Sequence, residues 1–299
     1  MARADGAVVP EGQRMKAVTV CLMTYDNCDL LARFLGTLVR YSGFDGFVLL
    51  WDNNEDVEKQ QRVRGLCSHW LGERGRVLGC GYNLFGPRMA AENRYPLQEL
   101  LNVVGTAFVA FMQDDMAFAP SSSRFWDYLV ETAWYKEVGL VAPCSNELYE
   151  GQQLHRVDLP ERFVANHVHG SAVLARKDVL DEVGGWDPRL WHAIDSDLCL
   201  RLRRAGYKIV VDRRAYVHHD PAATMSKVET DLAAKILAWG ELGRNQLIRK
   251  YGLASYHRYV LSGGHDANNA MLLYGWSWDS LAAELERVVP RWFPTNSVP

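Results

Sequence analysis

Three apolar runs, separated by segments with helical periodicity, constrain the fold of this chain more than any other feature of its sequence. The runs cover residues 16–23, 47–51 and 106–112, and they are rich in β-branched and large apolar side chains. Between the first two, residues 28–41 carry their apolar side chains on one helical face. Alternation of buried strands with helices predicts an α/β fold with a mostly parallel sheet flanked by helices.

The same alternation predicts further elements on both sides of the third run. Helices are expected over residues 56–70, 89–103 and 121–137, and short strands at 77–78 and 139–142. Beyond residue 143 the pattern is less regular, and the expected elements there are helices over 177–183 and 195–205 and strands over 208–211 and 215–217. From residue 228 the chain is expected to be mainly helical.

Composition and charge disfavour several kinds of partner and location. The 299 residues carry a formal net charge of -3, which disfavours nucleic acid and anionic membranes as partners. No run of eighteen apolar residues predicts a membrane span, and the first fifteen residues read as a flexible tail without a signal peptide. The six cysteines are widely spaced, which favours reduced thiols in a cytoplasmic protein.

Two adjacent acids, Asp114 and Asp115, directly follow the third apolar run. Ligands of parallel α/β sheets bind at the carboxyl ends of the strands, and Asp52 lies just beyond another such end. Neighbouring carboxylates repel each other unless a cation or a shared proton lies between them, and Mg²⁺ and Mn²⁺ prefer such oxygen ligands. The alternative is two solvated acids that open the turn before Pro120.

Two other segments contain candidate functional residues. Asp195 falls at the start of a predicted helix, where it could act as a base facing a cleft; the alternative is that Asp195 or Asp197 is only a helix cap. His218 and His219 end a strand, and an imidazole is a common metal ligand, although a single histidine is more often an ordinary surface or core residue.

A third segment, NLFGPRMAAEN over residues 83–93, places a Gly-Pro turn before a predicted helix. The start of that helix could accept phosphate, and Arg88 could assist. The sequence has neither a P-loop nor a GxGxxG dinucleotide motif after its first strand.

Taken in order, these segments resemble the inverting GT-A glycosyltransferases, in particular the family-2 group that includes bacterial rhamnosyltransferases. The resemblance covers residues 16–226 and rests on the motifs VTVCLMTYDN, LLWDNNED, NLFGPRMAAEN, FMQDDM, HGSAVLARKDVLDEVGGWD, IDSDLCLR and YVHHD. Two positions depart from the family pattern. Gln113 replaces the first acid of the longer metal motif, and Ile194 replaces the glutamate that usually precedes the base.

The resemblance implies a GT-A (Rossmann-like) domain over residues 16–226, with a helical extension, 227–299, packed on the same domain. It also implies an activity, the transfer with inversion of a sugar from a UDP, GDP or dTDP donor to a hydroxyl of a glycan or glycoconjugate. The implied cofactor is Mn²⁺ or Mg²⁺. The C-terminal helices are expected either to shape the acceptor site or to form a subunit contact, such as that of a homodimer.

The residues that match the family motifs receive roles by the same resemblance. Asp195 would be the catalytic base, and Asp115 would bind the metal with His218 or His219. Trp186, Trp191 and His192 could form an apolar platform for sugar rings, or could equally be ordinary core. The residues expected to bind the nucleotide-sugar are Thr24, Tyr25, Asp26, Asp52, Asn83, Arg88, Asp114 and Trp186.

Three other functions remain open at this point. A nucleotidyltransferase of related fold would also bind metal and nucleotide, but it would normally carry a Gly-rich loop with basic residues after the first strand, where this chain has TYDNCD. A non-catalytic binding module would tolerate loss of Asp195. A sugar transferase acting on modified nucleic acid is disfavoured by the acidic charge balance.

Overall fold

A computed structural model describes residues 18–85, 87–146, 152, 160–190, 194–220 and 245–252. The predicted N-terminal tail, Trp191, His192 and most of the predicted C-terminal extension lie outside the described residues. Within the described part of the chain, no helix combines the length and the apolar character needed to cross a bilayer.

The N-terminal part alternates strands and helices as predicted. Its elements are β1 (Val18–Thr24), α1 (Cys28–Tyr41), β2 (Phe47–Asp52), α2 (Val57–Leu71) and β3 (Gly75–Gly79). The apolar stripe of α1 is buried against the sheet. Phe34 and Leu38 of this stripe have no exposed surface. Asp56 starts α2 by accepting the backbone N–H groups of Glu58 and Lys59.

The middle of the chain departs from the predicted helix bounds. Its elements are α3 (Pro87–Glu92), α4 (Pro96–Val103), β4 (Phe108–Gln113), β5 (Met116–Ala117), α5 (Phe125–Ala133) and β6 (Val138–Cys144). The single helix expected over 89–103 is two helices, because Asn93 has a left-handed backbone (φ 50°) and Pro96 cannot continue a helix but can begin one. The helix expected over 121–137 is shorter and follows a 3₁₀ turn.

The remaining elements are β7 (Arg162–Ala165), β8 (Ala172–Arg176), α6 (Lys177–Val183), α7 (Ile194–Arg204), β9 (Lys208–Tyr216) and β10 (His218–His219). Residues 245–251 are also helical. The two strands expected over 208–211 and 215–217 form one strand, β9, whose partner β6 accommodates an irregular register near Cys144.

The main sheet has eight strands in the order β3-β2-β1-β4-β8-β6-β9-β7. The first four strands are parallel, and β6 is parallel to β9. In contrast, β8 runs antiparallel to both of its neighbours, and β7 is antiparallel to β9. The predicted α/β fold with a mostly parallel sheet is therefore confirmed, with a reversed strand near its centre that the sequence pattern did not indicate.

Apolar clusters cover both faces of this sheet. On one face α1 and α5 contribute Phe34, Leu38 and Trp126, and on the other α4 and α7 contribute Leu100 and Leu198. Because both faces are covered, the edge formed by the carboxyl ends of β2, β1 and β4 is where polar side chains can gather.

Candidate active site

A row of polar residues lies where β2, β1 and β4 end. Thr24 pairs with Asp52 in the β1–β2 register, and Met23 pairs with Gln113 in the β1–β4 register. Since neighbouring strands are about 4.8 Å apart, the row from β2 to β4 spans about 10 Å. The structure thus brings Asp52, Thr24 and the acid pair after β4 to one edge.

Asp114 is held from β1. Its Oδ2 accepts a hydrogen bond of 2.6 Å from the Thr24 hydroxyl, and both side chains are buried. A charge-assisted contact of this kind fixes the orientation of a carboxylate. Asp114 is therefore anchored to the sheet.

Asp115 differs from its neighbour in how its oxygens are used. Its Oδ1 is buried and has no hydrogen-bond partner, and its Oδ2 lies 3.6 Å from Nε2 of His219. The short antiparallel pair of β5 and β10 sets this contact by aligning His219 with Met116. Since successive side chains on a strand point to opposite sides, His218 is exposed while His219 is buried.

Two polar residues support this pair from behind. Asn146 accepts the backbone N–H of His219 at 2.7 Å and donates its amide to the His219 carbonyl at 2.8 Å. Arg33 of α1 donates to the carbonyl of Asp115 and to the carboxylate of Asp220. The backbone on both sides of the Asp115–His219 contact is thus fixed.

Asp52 is positioned by the turn that follows β2. Its Oδ1 accepts both the backbone N–H and the side-chain amide N–H of Asn54. The side-chain oxygen of Asn54, Oδ1, in turn accepts the backbone N–H of Asp26. Asp26 has a left-handed backbone (φ 54°), which an aspartate tolerates better than most residues. Its carboxylate pairs with Lys59 at the surface, and Tyr25 is also exposed.

A cavity of about 390 Å³ opens next to Asp52. Its walls are formed by residues at the ends of β2 and β3 and on α2 and α4, including Trp51, Arg64 and Arg94. The cavity therefore combines an aromatic ring, a carboxylate and guanidinium groups in one space next to Asp52.

Asn83 and Arg88 lie at the periphery of the row. Arg88 forms long ion pairs with Glu55 and Glu92 and packs on the ring of Tyr82, and its side chain is half exposed. The N–H of Asn83 donates to Glu55. The helix that follows, α3, has only six residues, which makes it a short support for a phosphate group.

Asp195 begins the first turn of α7 and faces the loop that precedes β8. Its Oδ2 accepts the N–H of Gly170 at 3.2 Å, and its Oδ1 accepts the N–H of Ser196 at 2.8 Å. Burial raises the pKa of this carboxyl, but the polar contact with His167 and the charges of His167 and His169 lower it more. The net pKa of Asp195 lies below the ordinary value.

Trp186 forms a buried wall beside Asp195. Its ring packs edge-on against Phe111 and Tyr95, with centroids 5.0 and 6.0 Å away. A Cβ placed on Gly170 would lie 3.1 Å from Cβ of Asp195 and 3.7 Å from the Trp186 ring. The indole N–H is buried without a hydrogen-bond partner. Trp186 thus belongs to the core and also borders the space next to Asp195.

Asp197 is occupied by structural contacts, unlike Asp195 two residues before it. It has no exposed surface, and its oxygens accept hydrogen bonds from Arg201 at 2.8 Å, Lys250 at 2.7 Å and Tyr251 at 2.7 Å. Asp197 therefore joins the helix of residues 245–251 to α7.

The loop before β8 contributes His169 and Ser171, which begin the motif HGSAVLARKDVLDEVGGWD but received no role from the sequence. His169 has its ring 6.3 Å from that of His219, and its Nδ1 contacts the Ser171 hydroxyl. Ser171 in turn donates to Gln113, next to the acid pair. Gln113 lies more than fifty positions before Ser171, and no spacing in the sequence connects the two. Their contact follows from the antiparallel pairing of β8 with β4.

No group of three or more histidine, cysteine, aspartate or glutamate side chains within the described ranges is arranged to hold a metal ion. In the described part of the chain, the carboxylate of Asp115 and the imidazole of His219 converge as a pair of donors.

Comparison with known sequences gives a partial match. No known family model matches the chain. Over 131 residues it is 31% identical to the pre-mycofactocin glycosyltransferase of Mycobacterium tuberculosis, in two strains. The match covers 38% of this chain and 27% of the relative, so the chain spans about a quarter of the length of the curated relatives it matches.

Comparison with solved structures gives longer matches at low identity. The mannosyltransferase PcManGT from Pyrobaculum calidifontis, in complex with GDP-Man and Mn²⁺, aligns with a TM-score of 0.55 and 16% identity, covering 71% of this chain and 59% of that one. GalNAc-T7 with UDP, GalNAc and Mn²⁺ gives 0.56 and 11%, covering 69% and 44%. TarS of S. aureus gives 0.52 and 14%, covering 83% and 73%.

Identities this low show a shared fold. The chain has the GT-A fold of these glycosyltransferases, and the fold predicted from its sequence is confirmed.

Proposed function

We propose that this GT-A chain is a glycosyltransferase that moves a sugar from a nucleotide-diphosphate donor to a hydroxyl group of a glycan or glycoconjugate, with inversion. One observation carries the proposal. The polar row at the ends of β2, β1 and β4, the Asp115–His219 pair and Asp195 meet at one edge of the sheet. Asp195 reaches this edge because β8 begins beside it and the loop before β8 contacts Asp195.

The carboxylate of Asp115 fits Mn²⁺ or Mg²⁺, and the imidazole of His219 favours Mn²⁺, because Mg²⁺ prefers oxygen ligands. One carboxylate oxygen of Asp115 is buried without a partner, which is costly unless a ligand compensates it. Such cations are often held by one or two protein groups together with oxygens of substrate phosphates, so two protein donors suffice. A bound cation supplies charge neutralisation for the leaving diphosphate, an effect worth several kcal/mol.

The other residues of the edge bind and orient the donor in this proposal. Asp52 accepts a hydrogen bond from the nucleobase or the ribose, in the cavity that it shares with Trp51 and Arg94. Asp114, fixed by Thr24, supports the ribose or the cation. These interactions hold the anomeric carbon in place for attack.

Asp195 takes the proton of the acceptor hydroxyl. Its low pKa keeps it ionised at neutral pH, which is the form that can accept a proton, although the same shift makes it a weaker base than an ordinary carboxylate. As the proton moves to the carboxylate, the acceptor oxygen attacks the anomeric carbon from the face opposite the diphosphate. The bond from that carbon to the diphosphate oxygen breaks, the nucleoside diphosphate leaves, and the configuration inverts. A base in this position contributes about 10² to 10⁴ in rate.

The test is a binding and turnover panel. Thermal shifts with UDP-, GDP- and dTDP-sugars, with and without Mn²⁺, should reveal one donor that stabilises the fold through binding to the native state. Asp115→Ala should lose the Mn²⁺-dependent part of that shift, and Asp195→Asn should keep it while losing transfer. An absence of donor binding in the whole panel would contradict the proposal, and release of pyrophosphate from a nucleoside triphosphate and a sugar phosphate would replace it with a nucleotidyltransferase.

A further inference from the structure

A buried histidine lies behind the candidate base. His167 is 3% exposed, and its Nε2 is 2.9 Å from the hydroxyl of Ser196 and 3.9 Å from Oδ1 of Asp195. The three side chains come from two elements, the loop before β8 and the first turn of α7. A buried polar cluster of this kind is stabilising only when its members satisfy one another.

The carboxylate of Asp195 is held on two sides by backbone N–H groups. Gly170 donates to Oδ2 and Ser196 donates to Oδ1, so the orientation of the carboxylate depends on how the loop and the helix start lie against each other. His167 spans this junction, because its backbone belongs to the loop and its ring contacts the hydroxyl on α7.

We propose that His167 is a positioning residue for the transfer reaction, which acts through Ser196 to hold the carboxylate of Asp195 in place. The inference rests on the proposed role of Asp195 as the base. His167 does not touch the reacting atoms in this proposal; it fixes the group that does.

The charges around Asp195 agree with this role. Among the described residues, the titratable groups that act on it are His167 and His169 from the loop and Tyr95 from the start of α4. Burial and the charge of Asp195 raise the pKa of the Tyr95 phenol, which therefore stays neutral. The two histidines, followed by the backbone N–H of Ser196, then offset the burial of the carboxylate.

His167→Gln is the informative variant, because glutamine keeps a polar side chain of similar length and loses the imidazole. With one offsetting group removed, the pKa of Asp195 rises, and activity is lost at a higher pH as the solution is acidified. The acid limb of kcat/KM should move toward neutral pH by about one to three pH units. The KM for the donor should stay within about twofold, because His167 contacts the proposed base, Asp195, and its neighbour Ser196.

The matched controls separate positioning from packing. His69→Gln changes an exposed histidine on α2, edge-on to Trp70, and its pH profile should superimpose on that of the wild type. Ser196→Ala keeps the ring of His167 and the backbone N–H of residue 196, so it should lower kcat with a smaller shift of the acid limb. It also carries the test if His167→Gln does not fold.

The outcomes distinguish this inference from the proposed function. If the activity of His167→Gln falls equally at every pH, or if Ser196→Ala has wild-type kcat and profile, His167 is a packing residue and the inference is wrong. If Asp195→Asn retains turnover, the assignment of the base fails, whatever the histidine variants do.

Discussion

Two aspartates in the first turn of one helix should respond in opposite ways to the same substitution. Asp197→Asn removes a fully buried charge that Arg201, Lys250 and Tyr251 all contact. Breaking a buried ion pair by removing one partner typically costs about 3 to 5 kcal/mol. The lower end applies here, because Arg201 and Lys250 reach solvent with 18% and 25% of their side chains exposed.

A loss of about 3 kcal/mol corresponds to a fall in Tm of about 5 °C for a chain of 299 residues, because an unfolding entropy of about 2.1 cal/mol/K per residue sums to about 0.6 kcal/mol/K. Asp195→Asn should cost about 1 kcal/mol or less, because asparagine keeps an oxygen that can accept the N–H of Gly170. Its transfer rate should instead fall by about 10² to 10⁴. Asp197→Asn should keep most of the rate per folded molecule.

The measurement combines thermal unfolding with initial transfer rates at a temperature well below the lower Tm, with the folded fraction checked by circular dichroism. The opposite pattern, a stable but inactive Asp197→Asn beside an active but destabilised Asp195→Asn, would refute the division of roles between the two residues.

Two further predictions concern the surroundings of the same residues. Gly170→Ala should lower kcat by about tenfold, because its methyl carbon would lie 3.1 Å from Cβ of Asp195 and displace the carboxylate. Gly105→Ala is the control, because a Cβ at residue 105 would meet open space. Equal rates for the two variants would count against the prediction. Asn146→Ala should weaken Mn²⁺ binding about tenfold in a titration with donor present, since it removes both hydrogen bonds that fix the backbone of His219. An unchanged Mn²⁺ affinity would show that Asn146 does not hold His219 for the cation.

The sequence predicts the parts of the fold that have a local signal. The amphipathic stripe of residues 28–41 and the apolar run before Asp114 correspond to α1 and β4 almost residue for residue. The reversed strand β8 and the two-residue strands β5 and β10 were not predicted. A strand of two residues has no periodicity, and the direction of a strand depends on partners far away in the chain.

The same distinction holds for the candidate site. The acid pair and Asp195 stand out because charges at the end of an apolar run or at a helix start are visible in a short window. His167 lies outside the listed motifs, and His169 opens one without receiving a role, because nothing near them in the sequence shows that their loop meets α7 and β4. Likewise, sequence leaves the choice between His218 and His219 open, and only the register of β10 buries one of them beside Asp115.

The direction of β8 explains how the two halves of the candidate site meet. Because β8 is antiparallel to β4, its first residue, Ala172, pairs with Met112 near the end of β4. The loop just before Ala172 must therefore lie beside the acid pair, and Gly170 within it reaches Asp195. A parallel strand in this position would carry the same loop to the opposite edge of the sheet, and a shift of one residue would exchange the side chains of β8 between the two apolar clusters. The register of one reversed strand thus sets the distance between the proposed base and the proposed metal ligands.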